Sequence, residues 1–399
     1  MKKVLFVCYG SGHVRMVVPV AKALAEAGLA RVVVLALTTA APVARAAGLE
    51  VVQFKHFLQP GDEAALAHGR RLMAEMPHVA DPEETAAYLG LSYAELEADV
   101  GPEEAGHRYA RDGRQAFLPR RALQRILRQV APDLVFATNS PRAERAAVEA
   151  ARALGLPSIC LVDLFCLDEI KWIGSPLYAD RVCVLNDAVK RFLLESGRGE
   201  AQVSVTGNPA FDAVFDPASA EAGLQLRRDR HWEGRKVVLW PTQVEPAFHP
   251  FNGAPGDSSL PRRTLEAVTA WALAHEDCVL CVRPRAGEGL PDLPDHPRIV
   301  LAGQGISLPA LLHAVDLVVT LNSTVGLEGH LAGARLVQVL GSVFDSAMPL
   351  ATYGIADEAV SLGGLAAALD RWAAQPRKTT TQAGGAATGR VVDVIREFL

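Results

Sequence analysis

Short runs of β-branched residues alternate with alanine-rich amphipathic segments along most of this 399-residue chain. This alternation is typical of βα units on a parallel sheet, whose strands are covered by helices and therefore become continuous apolar runs. The predicted strands of the first half are 4–8, 31–36, 50–54, 134–137, 158–162, 181–185 and 202–205. Those of the second half are 236–240, 278–282, 298–301, 317–320 and 336–340. The pattern predicts an α/β fold with two Rossmann-like domains.

Two domains also fit the length, since a domain averages roughly 150 residues. The predicted N-terminal domain is 1–215, and the predicted C-terminal domain is 216–375. Residues 60–113 interrupt the first series with Glu, Ala and His, which predicts a helical insertion and a candidate surface for an acceptor or for a second copy in a homodimer. Residues 376–399 are predicted to be a linker and a C-terminal helix.

Charge and hydropathy exclude several classes of protein. Forty Lys and Arg against 45 Asp and Glu give a net charge of −5, which argues against nucleic-acid binding. No run approaches the ~18 apolar residues of a transmembrane helix, and the apolar run 4–8 is too short for a signal peptide, so we expect a cytoplasmic protein. Cys278 and Cys281 fall in one strand, where they point to opposite faces, and no metal site is predicted.

A glycine-rich loop, Gly10-Ser11-Gly12-His13, follows the first strand and precedes a helix. Glycines in this position permit a tight turn and let an anion approach the N–H groups of the helix start. An imidazole at the same helix start is suited to general-base catalysis, typically worth ~10² to 10⁴ in rate. The alternative, that His13 only caps or packs, stays open.

Four loops of the second half also follow strands, where ligands of open α/β sheets bind. Arg283 can contact a diphosphate, and Ser323 and Thr324 can donate hydroxyl and backbone N–H groups to the same anion. Glu328, one helical turn later, can accept from ribose hydroxyls. The alternatives are that Arg283 and Glu328 are ordinary solvent-exposed residues. Likewise, Ser323 or Thr324 can be an ordinary helix N-cap. The full set of candidates in these loops is Thr242, Gln243, Arg283, Asn322, Ser323, Thr324, Glu328 and Asp345.

The segment from Gly10 to His13 resembles the amino-terminal loop of GT-B fold glycosyltransferases and related nucleotide-sugar enzymes, many of which have G-x-G-H there. The resemblance implies two Rossmann-like domains that face each other across a cleft. It also implies that His13 deprotonates the acceptor hydroxyl, as the histidine does in several inverting members.

Two more segments resemble this superfamily. Residues 205–212, V-T-G-N-P-A-F-D, are similar to the stretch between the domains of its UDP-N-acetylglucosamine 2-epimerase and CDP-glycerol glycerophosphotransferase-like branches, which adds Asn208 to the candidates. The alternative, that Gly-Asn-Pro forms only a turn, stays open. Residues 323–333 resemble the carboxy-terminal signature S-T-x-G-x-E-x₄-G. The resemblance implies that Glu328 holds the ribose, that small hydroxylated residues hold the phosphates, and that Asp345 touches the sugar.

The 2-epimerase pattern itself is incomplete. It expects acidic residues after the fourth and fifth strands and a histidine after the first strand of the second domain. This sequence has T-N-S at 138–140, Asp163, and Thr242-Gln243 in those places, so Asp163 alone can serve as acid or base.

The leading hypothesis is a glycosyltransferase of polysaccharide or glycoconjugate biosynthesis that moves a sugar from a nucleotide diphosphate donor, expected to be a UDP-sugar, to an acceptor hydroxyl. His13 is its predicted base, and no cofactor is expected. The sequence has no D-x-D triplet, so the transfer is predicted to be independent of metal. A nucleotide-sugar hydrolase or 2-epimerase on the same fold, and a non-catalytic nucleotide-sugar-binding relative, stay open as alternatives.

Overall fold

The computed structural model describes residues 1–10, 12–76, 79–249, 253–285, 289–303, 305–375 and 385–399. Ser11, a predicted site residue, lies outside the described residues, as does 376–384 of the predicted linker. The chain divides into two compact units. Unit 1 contains Met1–Ala210 and Ala386–Leu399, and unit 2 contains Phe211–Gly385.

The strands are β1 (Lys3–Cys8), β2 (Arg31–Ala36), β3 (Glu50–Val52), β4 (Leu134–Thr138), β5 (Ser158–Leu161), β6 (Arg181–Val184), β7 (Val203–Val205), β8 (Lys236–Pro241), β9 (Cys278–Arg283), β10 (Ile299–Leu301), β11 (Leu317–Thr320), β12 (Arg335–Leu340) and β13 (Glu358–Ser361). The helices are α1 (Gly12–Glu26), α2 (Ala40–Ala46), α3 (Glu63–Met73), α4 (Pro82–Val100), α5 (Pro102–Asp112), α6 (Arg120–Val130), α7 (Ala143–Ala153), α8 (Ile170–Ile173), α9 (Asp187–Glu195), α10 (Pro217–Asp229), α11 (Leu260–Ala274), α12 (Leu308–Ala314), α13 (Thr324–Leu331), α14 (Leu365–Ala373) and α15 (Ala387–Arg396).

The sheet of unit 1 has seven strands in the order β3-β2-β1-β4-β5-β6-β7, and every pair is parallel. The chain runs outward from β1 to β3 and then returns to the other side of β1 as β4. Strand order therefore reverses between β1 and β4, which is where an open α/β sheet forms a ligand crevice outside the carboxyl ends of its strands. The predicted loop from Gly10 to His13 leaves β1 at this point.

The predicted helical insertion consists of α3, α4 and α5, which follow β3. Helix α4 begins where Asp81 accepts a hydrogen bond from the backbone N–H of Glu84, with Pro82 in the first turn. Gly69 of α3 and Gly90 of α4 let the two helices approach closely, since a Cβ on Gly69 would overlap the carbonyl of Ala86.

The C-terminal helix α15 belongs to unit 1, although it follows unit 2 in the chain. Val391, Val394 and Ile395 are buried in the same apolar cluster as Val17 of α1 and the strands of the first sheet. The first segment of unit 1 ends at Ala210, whereas the predicted boundary of the N-terminal domain is residue 215.

The sheet of unit 2 has six parallel strands in the order β10-β9-β8-β11-β12-β13. Its order reverses between β8 and β11, which places a second crevice at their carboxyl ends. Helices α11 and α14 cover one face through Trp271 and Trp372, which pack in a cluster with Trp240. The predicted α/β class with two Rossmann-like domains and a helical insertion in the first is confirmed.

Candidate functional site

His13 lies at the crevice of unit 1, in the first turn of α1. Its Nδ1 is 2.9 Å from Oγ1 of Thr138, the last residue of β4. The side chain of His13 is half-buried, whereas Thr138 is fully buried. The hydroxyl at the end of β4 thus fixes the imidazole across the point where the strand order reverses.

Gly10 and Gly12, the two glycines of this loop, have different roles. A Cβ on Gly10 would overlap Oγ1 of Thr39, so any larger residue here would require the side chain of Thr39, at the start of α2, to move. Gly12 is the first residue of α1 and is exposed, with open space where a Cβ would stand. An approaching ligand would therefore meet Gly12 rather than the buried Gly10.

A polar cluster lies at the neighbouring carboxyl ends of β4 and β5. The amide nitrogen Nδ2 of Asn139 donates to Oδ1 of Asp163 at 3.0 Å and to Oε1 of Glu169 at 3.2 Å. Asn208 donates from its own Nδ2 to the backbone carbonyl of Asp163 at 2.9 Å. The structure therefore brings the predicted residues Asp163 and Asn208 together, and it adds Asn139 and Glu169.

Glu169 is the titratable member of this cluster. Burial, and secondarily the charge of Asp163, raises the pKa of Glu169 to about 7. A carboxyl group with such a pKa can hold or accept a proton near neutral pH. Glu169 was not predicted as a site residue, although it is an acidic residue in a loop that follows a predicted strand.

The crevice of unit 2 is organised by Gln243, which follows β8. Its Oε1 accepts hydrogen bonds from Oγ1 of Thr320 at 3.1 Å, from N–H of Leu321 at 3.1 Å and from N–H of Asn322 at 2.9 Å. Gln243 therefore ties β8 to the end of β11. Gln243 was predicted as a ligand-binding residue. In the structure its amide oxygen is occupied by hydrogen bonds from the residues at the end of β11.

A chain of hydrogen bonds then leads from β11 to the loop after β12. Nδ2 of Asn322 donates to Oγ of Ser342 at 2.8 Å, and that hydroxyl donates to Oε2 of Glu245 at 2.7 Å. The other oxygen of Glu245 accepts from N–H of Val343 at 2.7 Å, and Glu245 is only 3% exposed. Glu245 and Ser342 were not predicted as site residues, because no sequence motif near either one indicates that they pair.

Asp345 lies in the same loop and folds back onto it. Its Oδ2 accepts a hydrogen bond from N–H of Gly341 at 2.7 Å. Burial raises the pKa of Asp345, against the opposing effect of its backbone hydrogen bonds.

Helix α13 begins with the predicted pair Ser323 and Thr324. Ser323 is its N-cap, and the hydroxyl oxygen accepts from N–H of Val325 at 3.2 Å, which is the capping role left open above. Thr324, the first helical residue, is exposed, and Glu328 is half-buried one turn later.

Arg283 ends β9, and its guanidinium binds backbone. Nη1 donates to the carbonyls of Gly303 at 2.9 Å and Ile306 at 2.7 Å. Thr242 has a comparable local partner, because its Oγ1 accepts from N–H of Arg285 at 2.9 Å. Both predicted residues thus stand at the carboxyl edge of the sheet and help to hold its loops.

A cavity of about 770 Å³ opens beside this edge within unit 2. Its walls come from the end of β8, from one side of α11 and from part of the segment after β9. They include Thr242, Gln243, Glu245, Pro261, Leu265 and Pro291. The volume lies within the range of small-molecule sites.

The described residues contain no group of three or more His, Cys, Asp or Glu side chains arranged to hold a metal ion. Nor does any helix in the described ranges combine the length and apolar character needed to cross a membrane.

No known protein family matches the sequence, and no curated protein does. Several solved structures match over the whole chain. The S. aureus MnaA–UDP co-structure has a TM-score of 0.61 at 12% identity and covers 100% of this chain and 97% of that one. The UDP-GlcNAc 2-epimerase from Neisseria meningitidis bound to UDP-GlcNAc has a TM-score of 0.57 at 12% identity, covering 99% of each chain. CalG4, the calicheamicin glycosyltransferase, has a TM-score of 0.56 at 18% identity and covers 100% of this chain and 98% of that one.

Proposed function

We propose that this chain, which has the GT-B fold, transfers a sugar from a nucleoside diphosphate donor to an acceptor hydroxyl. The observation that carries the proposal is the contact of His13 with Thr138 at the point where the first sheet reverses its strand order. A fixed imidazole at a ligand crevice is what a general base requires.

The proton transfer can be written at the level of atoms. When Nδ1 of His13 carries its hydrogen and donates it to Thr138, Nε2 is the basic nitrogen. Nε2 takes the proton of the acceptor hydroxyl while the acceptor oxygen forms a bond to the anomeric carbon of the donor. The bond from that carbon to the diphosphate breaks, and the diphosphate leaves with the electron pair.

The crevice of unit 2 is the proposed donor site. The start of α13, with Thr324 exposed, offers N–H and hydroxyl groups to a diphosphate, and Arg283 adds positive charge at the same edge. Glu328 and Asp345 are the proposed partners of donor hydroxyls. The similar solved structures that contain UDP and UDP-GlcNAc support a UDP-sugar as the donor.

The first test is nucleotide binding followed by turnover. We expect UDP, in a panel with CDP, GDP and TDP, to stabilise the protein by about 2.7 kcal/mol at 100 times its dissociation constant. Absence of a thermal shift with all four nucleotides would contradict the donor site. Binding of a nucleotide without turnover of any nucleotide sugar would favour a non-catalytic relative.

The second test removes the base. We expect His13→Ala to lower the rate of sugar transfer by about 10² to 10⁴ and to leave UDP binding unchanged, because the imidazole acts on the acceptor. Thr138→Val, which keeps the shape but removes the hydroxyl, should give a smaller loss. Full transfer activity in His13→Ala would refute the assignment of the base.

One observation favours a second candidate, a nucleotide-sugar epimerase or hydrolase. Asp163 and Glu169 share the amide of Asn139, so two carboxyl groups lie together at the crevice of unit 1. Such a pair can exchange protons with a sugar or activate water. Incubation with UDP-sugars alone separates the candidates, since formation of product without any acceptor supports the second one.

A further inference from the structure

Two arginines converge on Tyr9, which connects β1 to Gly10. Cζ of Arg142 lies 5.0 Å from the centroid of the Tyr9 ring, and Nη1 of Arg114 lies 3.4 Å from its hydroxyl oxygen. Arg142 comes between β4 and α7, and Arg114 belongs to the short 3₁₀ helix Gly113–Ala116. The chain thus brings three distant segments to the carboxyl edge that also holds His13.

Neither guanidinium forms an ion pair with a described residue. Both arginines are half-buried, and the described part of the chain places no carboxylate within salt-bridge distance of either one. The nearby Glu144 is 1% exposed, and its Oε1 accepts from N–H of Tyr9 at 2.6 Å. Two guanidinium groups against the single carboxylate of Glu144 leave a net positive charge, which would attract an anion.

Tyr88 of α4 lies within electrostatic reach of both arginines. Burial raises the pKa of its phenol, and the positive charges of Arg142 and Arg114 both oppose that rise. The charges of both arginines, and the opposite charge of Glu144, therefore act on one buried ring.

We propose that Arg114 and Arg142 bind an oxyanion, a carboxylate or a phosphate, carried by the acceptor. The inference rests on the proposed transfer reaction and names the class of its second substrate. Arg142 follows Thr138 by four residues, and Tyr9 precedes His13 by four, so the anion site and the base lie at the same strand ends. Because the chain is acidic overall, with a net charge of −5, attraction of an anionic acceptor depends on this local charge.

The site can be tested by calorimetric titration with three small probes: phenyl phosphate, benzoate and the neutral benzyl alcohol. We expect an anionic probe to bind and benzyl alcohol not to bind, and the better anion identifies the group as phosphate or carboxylate. The double variant Arg114→Gln/Arg142→Gln should lose affinity by about tenfold or more, as expected for charge-assisted hydrogen bonds. Arg142→Lys, which keeps the charge, should retain most of the affinity.

Arg128→Gln is the matched control. Arg128 is an exposed arginine in the last turn of α6, which ends before β4 and therefore at the opposite edge of the sheet. Circular dichroism establishes that each variant is folded. Equal binding of the anion by the double variant and the wild type would overturn the inference, as would failure of the wild type to bind either anion.

Titration of the same variants with UDP separates this inference from the proposed function. We expect UDP affinity to be unchanged in the double variant. If UDP binding is lost together with anion binding, the arginines hold the diphosphate of the donor, and the acceptor inference fails while the donor proposal stands. If UDP binds neither protein but the anion site responds as expected, the anion site is supported and the proposed transfer fails.

Discussion

Glu169 links the candidate site to the stability of unit 1. The pKa of Glu169 is raised from 4.5 to about 7 in the folded chain, so the folded state binds more protons than the unfolded state between those values. The free energy of unfolding therefore falls as the pH rises from about 4.5 to about 7, and the penalty is complete above that range. A shift of this size corresponds to about 3 kcal/mol.

We expect Glu169→Gln to be more stable than the wild type at pH 8, by up to about 3 kcal/mol, and nearly equal to it at pH 4. The glutamine is neutral at both pH values and so avoids the cost of a buried charge. Urea unfolding at the two pH values measures the difference. Glu195→Gln, at an exposed position of α9, is the control, and equal stabilities of Glu169→Gln and the wild type at pH 8 would contradict the prediction.

The sequence predicts the residues that follow strands better than it predicts their partners. His13 and Asp163 are recognisable because chemistry-bearing side chains after a strand stand at the ligand edge of the sheet. Thr138, by contrast, is 125 residues from His13, and the pairing of Glu245 with Ser342 spans 97 residues. Spacing within one segment carries no information about contacts that only the folded sheet creates.

At the level of elements, the close approach of α3 and α4 depends on glycine. We expect Gly69→Ala to destabilise unit 1 by about 1 to 3 kcal/mol, because the added methyl group would overlap the carbonyl of Ala86 and force the helices apart. Gly106→Ala in α5 is the matched control, since its Cβ would meet nothing closer than 3.9 Å.

We expect the control substitution, Gly106→Ala, to change the stability in the opposite direction. An exchange of glycine for alanine in an open helical position should stabilise by about 0.5 to 1 kcal/mol. Thermal unfolding of the two variants measures both effects. Equal stability of Gly69→Ala and the wild type would show that the helices separate at no cost.

Core strands were predicted to within a residue or two, since they are short apolar runs flanked by turn residues. The edge strand β13 was not predicted, because Glu358–Ser361 has no apolar run. In the structure its residues alternate between half-buried and exposed positions. Helix α10 was also missed, because its sequence, PASAEAGLQLRRD, begins inside the turn-like stretch that marks the junction between the units.

At the level of the whole molecule, unit 1 is completed by residues from the far end of the chain. We expect deletion of 386–399 to lower the stability of unit 1 by several kcal/mol, because it exposes the apolar surface that Val391, Val394 and Ile395 cover. Denaturant unfolding of the shortened chain tests this. UDP binding to the folded shortened chain should persist, since the proposed donor residues all belong to unit 2.

The two-segment composition of unit 1 has a consequence for how the protein is made. Synthesis runs from the N-terminus to the C-terminus, so the whole of unit 2 is synthesised before α15. Until then the buried face of α1 has no cover at the place where Val391 and Ile395 will pack. Unit 1, which carries His13, therefore cannot complete its core until the chain has been synthesised through α15.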